Sequence, residues 1–134
     1  MPKKRTIDRA RRDKRQGKAP STQAGEFVRE EMEHVRQGKH GARSTKQAIA
    51  IGLSKARRAG VDLLPSARGR TSERTRQSAK RDYRAGRKGS GRRPSARRSR
   101  ASLKALRREP RAAASRAAVS QQASSAVRRR RRAA

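Results

Sequence analysis

The side chains with the widest chemical repertoire are few. His34 and His40 are the only histidines, and the chain has no cysteine, which excludes disulfides, thiolate metal sites and cysteine nucleophiles. A hydrolytic triad would need one of these imidazoles held by a carboxylate beside an activated serine in a dry pocket. With one Phe, one Tyr and no Trp, the chain has little from which to build that pocket. Glu30, His34 and His40 offer three ligating groups. The six-residue step between the histidines crosses an expected helix end and matches no standard zinc spacing, so solvated histidines are expected and no metal site is assigned. GRKGSG at residues 86–91 carries glycines but no following helix with the Lys-Ser/Thr pair of a phosphate-binding loop. The residues call for no cofactor and no catalysis. What remains is binding.

For binding the chemistry is abundant. Lysine and arginine total 41 against 10 acids, a formal charge of +31 in 134 residues with a pI near 12.0. Such a chain repels itself and requires a polyanion as company. Arginine's planar fork matches phosphate bidentately, which favours nucleic acid; a GC-rich genome is the other source of the arginine excess. Lys39, Arg43, Ser44, Thr45 and Lys46 surround an expected helix start, where backbone N–H groups and the helix dipole can hold a phosphate, and Arg57 and Arg58 add a contact near its far end. The tail supplies Arg92, Arg93, Arg97, Arg98 and the run Arg128, Arg129, Arg130, Arg131 and Arg132. Base readout needs rigidly placed side chains, and stacking recognition needs aromatics. Both are scarce, so non-specific contact with duplex DNA is expected ahead of RNA.

These groups must be positioned by the one region that looks organised. Charge divides as +7 over residues 1–20, +3 over 21–65 and +21 over 66–134, and the middle segment holds nearly every large apolar residue. In STKQAIAIGLSKARRAG (residues 44–60), Ser44 and Gln47 form a capping-box pattern. Ile49, Leu53 and Ala56 share a face flanked by Ala48, Gly52 and Ala59, and Gly60 with Val61 reads as a Schellman stop. Gly52 lies on that face, where close backbone approach is one reason to keep a residue that costs up to about 1 kcal/mol of helix propensity; tolerated drift is the other. A second helix is expected upstream, capped by Ser21 or Thr22, carrying a Val28, Met32 and Val35 stripe with Phe27 at its edge, and stopped by Gly38 or Gly41. The short loop makes the two antiparallel neighbours. Glu26, Glu30 and Glu33 fall opposite the stripe with Glu31 to one side. A solvated acidic face is expected; a latch for the cationic tails is the alternative.

RQGK occurs twice, at residues 15–18 and 36–39, each followed by a Ser/Thr that could open a new helix. The repeat would make residues 5–16 a third, basic helix. A helix-turn-helix is disfavoured by the loop length. Beyond Pro65 apolar residues thin out. The overall apolar content of 30% and mean hydropathy of −1.28 are too low to offset the ordering entropy of the whole chain. The expected fold class is therefore all-α: a small helical hairpin over 21–65, a basic N-terminal arm over 1–20, and a largely disordered or conditionally helical tail over 66–134. In the tail, 71–85 and 95–108 are the candidate transient helices and AGRKGSGRRPSARRSR is a flexible linker. The N-terminus lacks the apolar stretch of a secretory signal, and no apolar run is long enough for a membrane span. A cytoplasmic, nucleoid-associated protein with no membrane partner is expected, with Ile51 offering a surface to a second protomer or a protein partner.

Residues 25–63, GEFVREEMEHVRQGKHGARSTKQAIAIGLSKARRAGVDL, resemble a group of small basic bacterial proteins of uncharacterised function, many labelled plasmid stabilisation protein or DNA-binding protein. The resemblance rests on VREEM (28–32), KQAIAIGLS (46–54) and ARRAG (56–60). Such proteins often carry a longer Gly/Ser/Lys-rich linker and a Glu where this chain has Lys55. The resemblance brings no catalytic residues and implies DNA binding or plasmid maintenance. An RNA- or ribosome-associated role, and a protein-interaction adaptor built on the hairpin, are the alternatives that the residues leave open.

Overall fold

A computed structural model describes residues 2–88 and 95–133. Those residues form six α-helices and one short 3-10 turn, with no strand among them: α1 (Lys4–Arg15), α2 (Pro20–Arg36), α3 (Thr45–Arg58), α4 (Glu73–Lys88), α5 (Ala96–Arg107), the turn Ala112–Ala114, and α6 (Arg116–Ala133). The all-helical expectation holds, whereas the hairpin with disordered arms does not. The basic arms are helical, α1 being the third helix that the repeat suggested. Composition misleads here because large apolar side chains are the wrong measure of this core. The fold packs instead through small ones, among them Ala10, Ala24, Ala48, Ala56, Ala113 and Ala114, all buried.

Local signals explain where the helices begin and end. Ser44 Oγ accepts from the Gln47 N–H at 3.1 Å, half of the expected capping box; the Gln47 side chain reaches back to the Arg43 N–H rather than to that of Ser44. Pro20 opens α2 in place of the expected Ser21 or Thr22 cap, since its missing N–H is one that a first turn leaves without an intrahelical acceptor. Both RQGK copies are helix stops with one geometry. Gly17 and Gly38 have φ of +73° and +75°, and the N–H groups of Lys18 and Lys39 return to the carbonyls of Asp13 and His34 at 3.0 Å. α3 ends in the same Schellman pattern, with Val61 N–H on the Ala56 carbonyl at 3.1 Å.

The chain groups into two compact units. The first comprises residues 1–30 and 50–93. Its core joins Ala10, Ala24, Phe27, Ala56 and Val61, with Ile7, Leu53 and Leu63 packed against them. A Cβ on Gly52 would lie 2.6 Å from Val28 Cα, so close approach is the reason for that glycine. A Cβ on Gly86 would meet the Arg57 carbonyl oxygen at 1.9 Å, which docks α4 directly on backbone. Asp82, buried on α4, accepts from Ser54 Oγ at 2.7 Å and from Arg58 Nε at 2.8 Å. The tail thus contributes an ordered helix held by backbone proximity and one buried carboxylate.

The second unit comprises residues 31–49 and 94–134. Its framework is the α2–α3 loop laid along the segment that follows α5. Gly41 N–H donates to the Leu106 carbonyl at 2.7 Å and Ala42 N–H to that of Pro110 at 3.0 Å. Arg36 Nε donates to the Ala114 carbonyl at 2.8 Å, and an Arg111 guanidinium N–H caps the Arg36 carbonyl. A Cβ on Gly41 would overlap the Glu109 carbonyl oxygen at 1.7 Å. Four backbone-directed bonds thereby order a loop and a tail segment that have few apolar residues to bury.

The acidic face of α2 differs from expectation. Glu33 is exposed, but Glu30 is buried and accepts from the Lys3 N–H at 2.9 Å, and Glu31 is fully buried. The stripe turns towards Phe27: Phe27, Met32 and Val35 are buried while Val28 is half-buried. His40 is buried too, so the expected solvated histidines are not found. No helix among the described residues is long and apolar enough to cross a membrane.

Candidate nucleic-acid interface

The second unit contains a cleft of about 590 Å³ lined by Ser44, Thr45 and Lys46 from the start of α3 and by one face of α6. That face is a helical stripe. Ala118, Gln121, Gln122, Ser125, Arg128, Arg129 and Arg132 recur at steps of three and four, so they stack on one side. Ala118 and Gln122 are half-buried while Arg128, Arg129 and Arg132 are exposed, leaving the guanidinium groups accessible along the rim.

The two walls supply complementary forms of positive charge. On the α3 side, Gln47 N–H is taken by the Ser44 hydroxyl, while the N–H groups of Thr45 and Lys46 belong to the first turn and have no intrahelical acceptor. They point outward with the positive end of the dipole, and no acidic residue occupies that turn. The Thr45 hydroxyl is committed elsewhere, donating to the Ala113 carbonyl, so Thr45 contributes backbone rather than side chain. Lys46 is exposed. On the α6 side three arginines present fork-shaped donors, and no acidic side chain lines the cleft. A phosphate group fits this arrangement: dipole and N–H groups on one side, charge-assisted bidentate donors on the other.

The structure brings together only part of the expected set. Ser44, Thr45, Lys46, Arg128, Arg129 and Arg132 share the cleft. Lys39 and Arg43 are exposed in the loop before α3 and do not line it. Arg130 and Arg131 project from other faces of α6, and Arg97 and Arg98 are exposed on α5. Arg92 and Arg93 lie outside the described residues. Arg57 and Arg58 belong to the first unit and serve its packing: Arg57 Nε donates to the Leu63 carbonyl at 3.0 Å, and Arg58 pairs with Asp82. Burial lowers the Arg57 pKa from its usual value, with the Asp82 charge opposing. Gln121, Gln122 and Ser125 were not anticipated; their three-and-four spacing ahead of the arginine run is the signal that would have found them.

The first unit has a groove of a different character. Arg9, Arg12, Lys18 and Arg29 line it together with Asp13 and Glu26. Asp13 binds Lys18 at 3.0 Å and Glu26 lies 3.9 Å from Arg29, so two carboxylates temper its field. The aromatic residues are also accounted for. Phe27 is in the core. The Tyr83 hydroxyl donates to Asp62 at 2.6 Å, and Arg87 covers its ring at 4.9 Å.

Comparison with protein-family models, with curated proteins and with solved structures yields no match to this chain.

Proposed function

We propose that this protein binds nucleic acid without sequence specificity, duplex DNA ahead of RNA, by neutralising backbone phosphates. The cleft of the second unit is the centre of that contact. The observation that carries the reading is the convergence of the α3 N-terminus, Lys46, Arg128, Arg129 and Arg132 on one concavity with no acidic side chain in its lining. The exposed arginines of α5 and the remaining α6 cations extend the positive field. Phosphate contacts of this kind release condensed counterions. They carry no base information, and helices fixed by backbone bonds give the cations a defined spacing instead of a diffuse cloud.

Duplex is favoured over single strands because aromatic platforms for base stacking are scarce: Phe27 is buried, and one face of the Tyr83 ring is taken by Arg87. The resemblance of residues 25–63 to basic proteins labelled DNA-binding supports the same class, and association with a bacterial nucleoid, in plasmid maintenance or more generally, is the corresponding cellular setting.

A titration of a short duplex against monovalent salt tests the reading. The expected result is a steep linear fall of log affinity with log salt, with a slope of about 0.9 per phosphate contacted, and a preference for duplex DNA over ribosomal RNA at matched phosphate concentration. An affinity that stays flat from low to moderate salt overturns the electrostatic mechanism. A preference for ribosomal RNA transfers it to that partner.

A further inference from the structure

The chain's two histidines meet at one buried carboxylate. Glu31 Oε1 lies 3.7 Å from His34 Nδ1, and Glu31 Oε2 lies 3.2 Å from His40 Nε2. Glu31 is fully buried and His40 nearly so, while His34 keeps some exposure, its side chain 13% accessible. One ligating atom from each of the three residues falls within 4.8 Å of the others, and the two imidazoles stand edge to face. Glu31 and His34 are one turn apart on α2, and His40 returns from the loop just beyond the Gly38 stop. The fold has thus closed the sequence gap that matched no standard spacing.

Hydrogen bonding fixes the tautomer of His40. Its Nδ1 lies 2.9 Å from the Gly41 carbonyl oxygen. A carbonyl only accepts, so Nδ1 carries the ring proton and donates it. A neutral ring then aims its Nε2 lone pair at a carboxylate oxygen in a buried setting, which is unfavourable unless a cation sits between them. The cation is either a second proton or a metal. An imidazole that donates its distal N–H to a backbone carbonyl while its other nitrogen faces a carboxylate has the outer-shell arrangement of a metal-bound histidine. The 3.2 Å gap also suits two ligands of one ion: donors bound at about 2.0–2.1 Å in a tetrahedron stand roughly 3.3 Å apart. His34 Nδ1, 3.7 Å from the other carboxylate oxygen, supplies a third donor atom on the same site.

We infer that Glu31, His34 and His40 bind a divalent first-row ion of the zinc class, with a fourth position left for water. The ion would tie the end of α2 to the loop that leads into the Ser44 cap. This inference is independent of the nucleic-acid reading.

The test uses the full chain, freed of nucleic acid by nuclease and of metal by chelator. Co²⁺ is titrated first, then Zn²⁺, and the imidazole nitrogens are followed by long-range ¹H–¹⁵N NMR, which two histidines keep simple. The expected result is one Co²⁺ per chain with visible absorption of a four-coordinate site, displacement by Zn²⁺, and a Zn²⁺-dependent shift of a nitrogen in each ring. His34→Ala, at the most accessible ligand, should weaken binding by at least about tenfold, since even outer-shell changes cost that much. If neither ion binds and both rings titrate identically with and without Zn²⁺, the occupant is a proton and the inference falls. Undiminished binding in folded His34→Ala and His40→Ala variants overturns it equally. Neither failure touches the salt dependence of nucleic-acid binding.

Discussion

Replacing Arg128, Arg129 and Arg132 together by glutamine separates a built cleft from a mere excess of charge. Glutamine is close to arginine in helix propensity, so α6 should persist. The three side chains are exposed and line the cleft. Each phosphate that the variant no longer neutralises should lower the log–log salt slope by about 0.9, or about 2.7 for the three. Between 50 and 200 mM salt that slope difference shrinks the affinity ratio of wild type to variant by about 40-fold. The control removes the same number of charges from α5, by Arg97→Gln, Arg98→Gln and Arg100→Gln, all exposed and away from the cleft. Its slope should change by less than one unit. Fluorescence anisotropy of a labelled duplex over four or five salt concentrations measures both, with circular dichroism to confirm helix content. Equal slope changes in the two triple variants would show that the cations act as a diffuse cloud, and the cleft would lose its role.

Gly52→Ala places a methyl 2.6 Å from Val28 Cα. Overpacking costs about 1–3 kcal/mol against at most about 1 kcal/mol of recovered helix propensity, so urea unfolding should show a net loss, and an unchanged or raised midpoint would contradict the close approach. Asp82→Ala removes the buried acceptor of Ser54 and Arg58 and should cost about 1–3 kcal/mol by the same assay; a neutral result would mean that α4 is held by its other contacts, Gly86 on the Arg57 carbonyl and the Tyr83 and Arg87 bonds to Asp62. Tyr83, the only tyrosine, should ionise above its usual range. Its hydroxyl donates to Asp62 and burial adds in the same direction, while the Arg87 charge opposes. The fold favours the neutral phenol, so this stabilisation is complete below the ordinary phenol pKa of about 10 and is lost as pH rises through the higher folded value. Absorbance at 295 nm follows the phenolate, Asp62→Asn should move the midpoint back down, and a wild-type midpoint at or below the ordinary value counts against the hydrogen bond.

How much of this was visible in the residues depends on whether the cause was local. The start of α3, its Schellman end and the two RQGK stops are decided within five or six residues, and all were readable. The close approach at Gly52 was readable as one of two options because a glycine on a packing face has few other uses. The segments of α4 and α5 were readable as candidate helices, whereas their docking was not. It rests on Gly86 against the Arg57 carbonyl and on Gly41 N–H to Leu106, contacts between backbones far apart in sequence that leave no apolar periodicity. The same holds for the site residues. Ser44, Thr45 and Lys46 announced themselves by a cap pattern, and the arginine run by composition, but their meeting in one cleft depends on the bonds that lay residues 106–114 along the α2–α3 loop. Helical projection puts Glu31 beside an acidic face because it gives a direction without naming what lies opposite.

The placement of the ten acids explains how so cationic a chain can pack and still present charge. Asp13, Glu26, Asp62, Glu73 and Asp82 each face a Lys or Arg of the first unit, where α1 and α4 bring many arginines close to other helices. The Asp62 and Glu73 carboxylates are exposed and their pairs individually weak, while Asp13 and Asp82 are buried. The effect of these pairs is to lower repulsion where backbones must approach. Residues 110–134 contain no acid at all. α6 is therefore a helix whose cations no carboxylate of its own segment neutralises, beside an α3 start that carries positive potential of its own. Self-repulsion makes that pairing costly in isolation, and it becomes favourable once a polyanion supplies the missing charge. The same asymmetry that looks like poor design for a free protein is what a phosphate-binding surface requires.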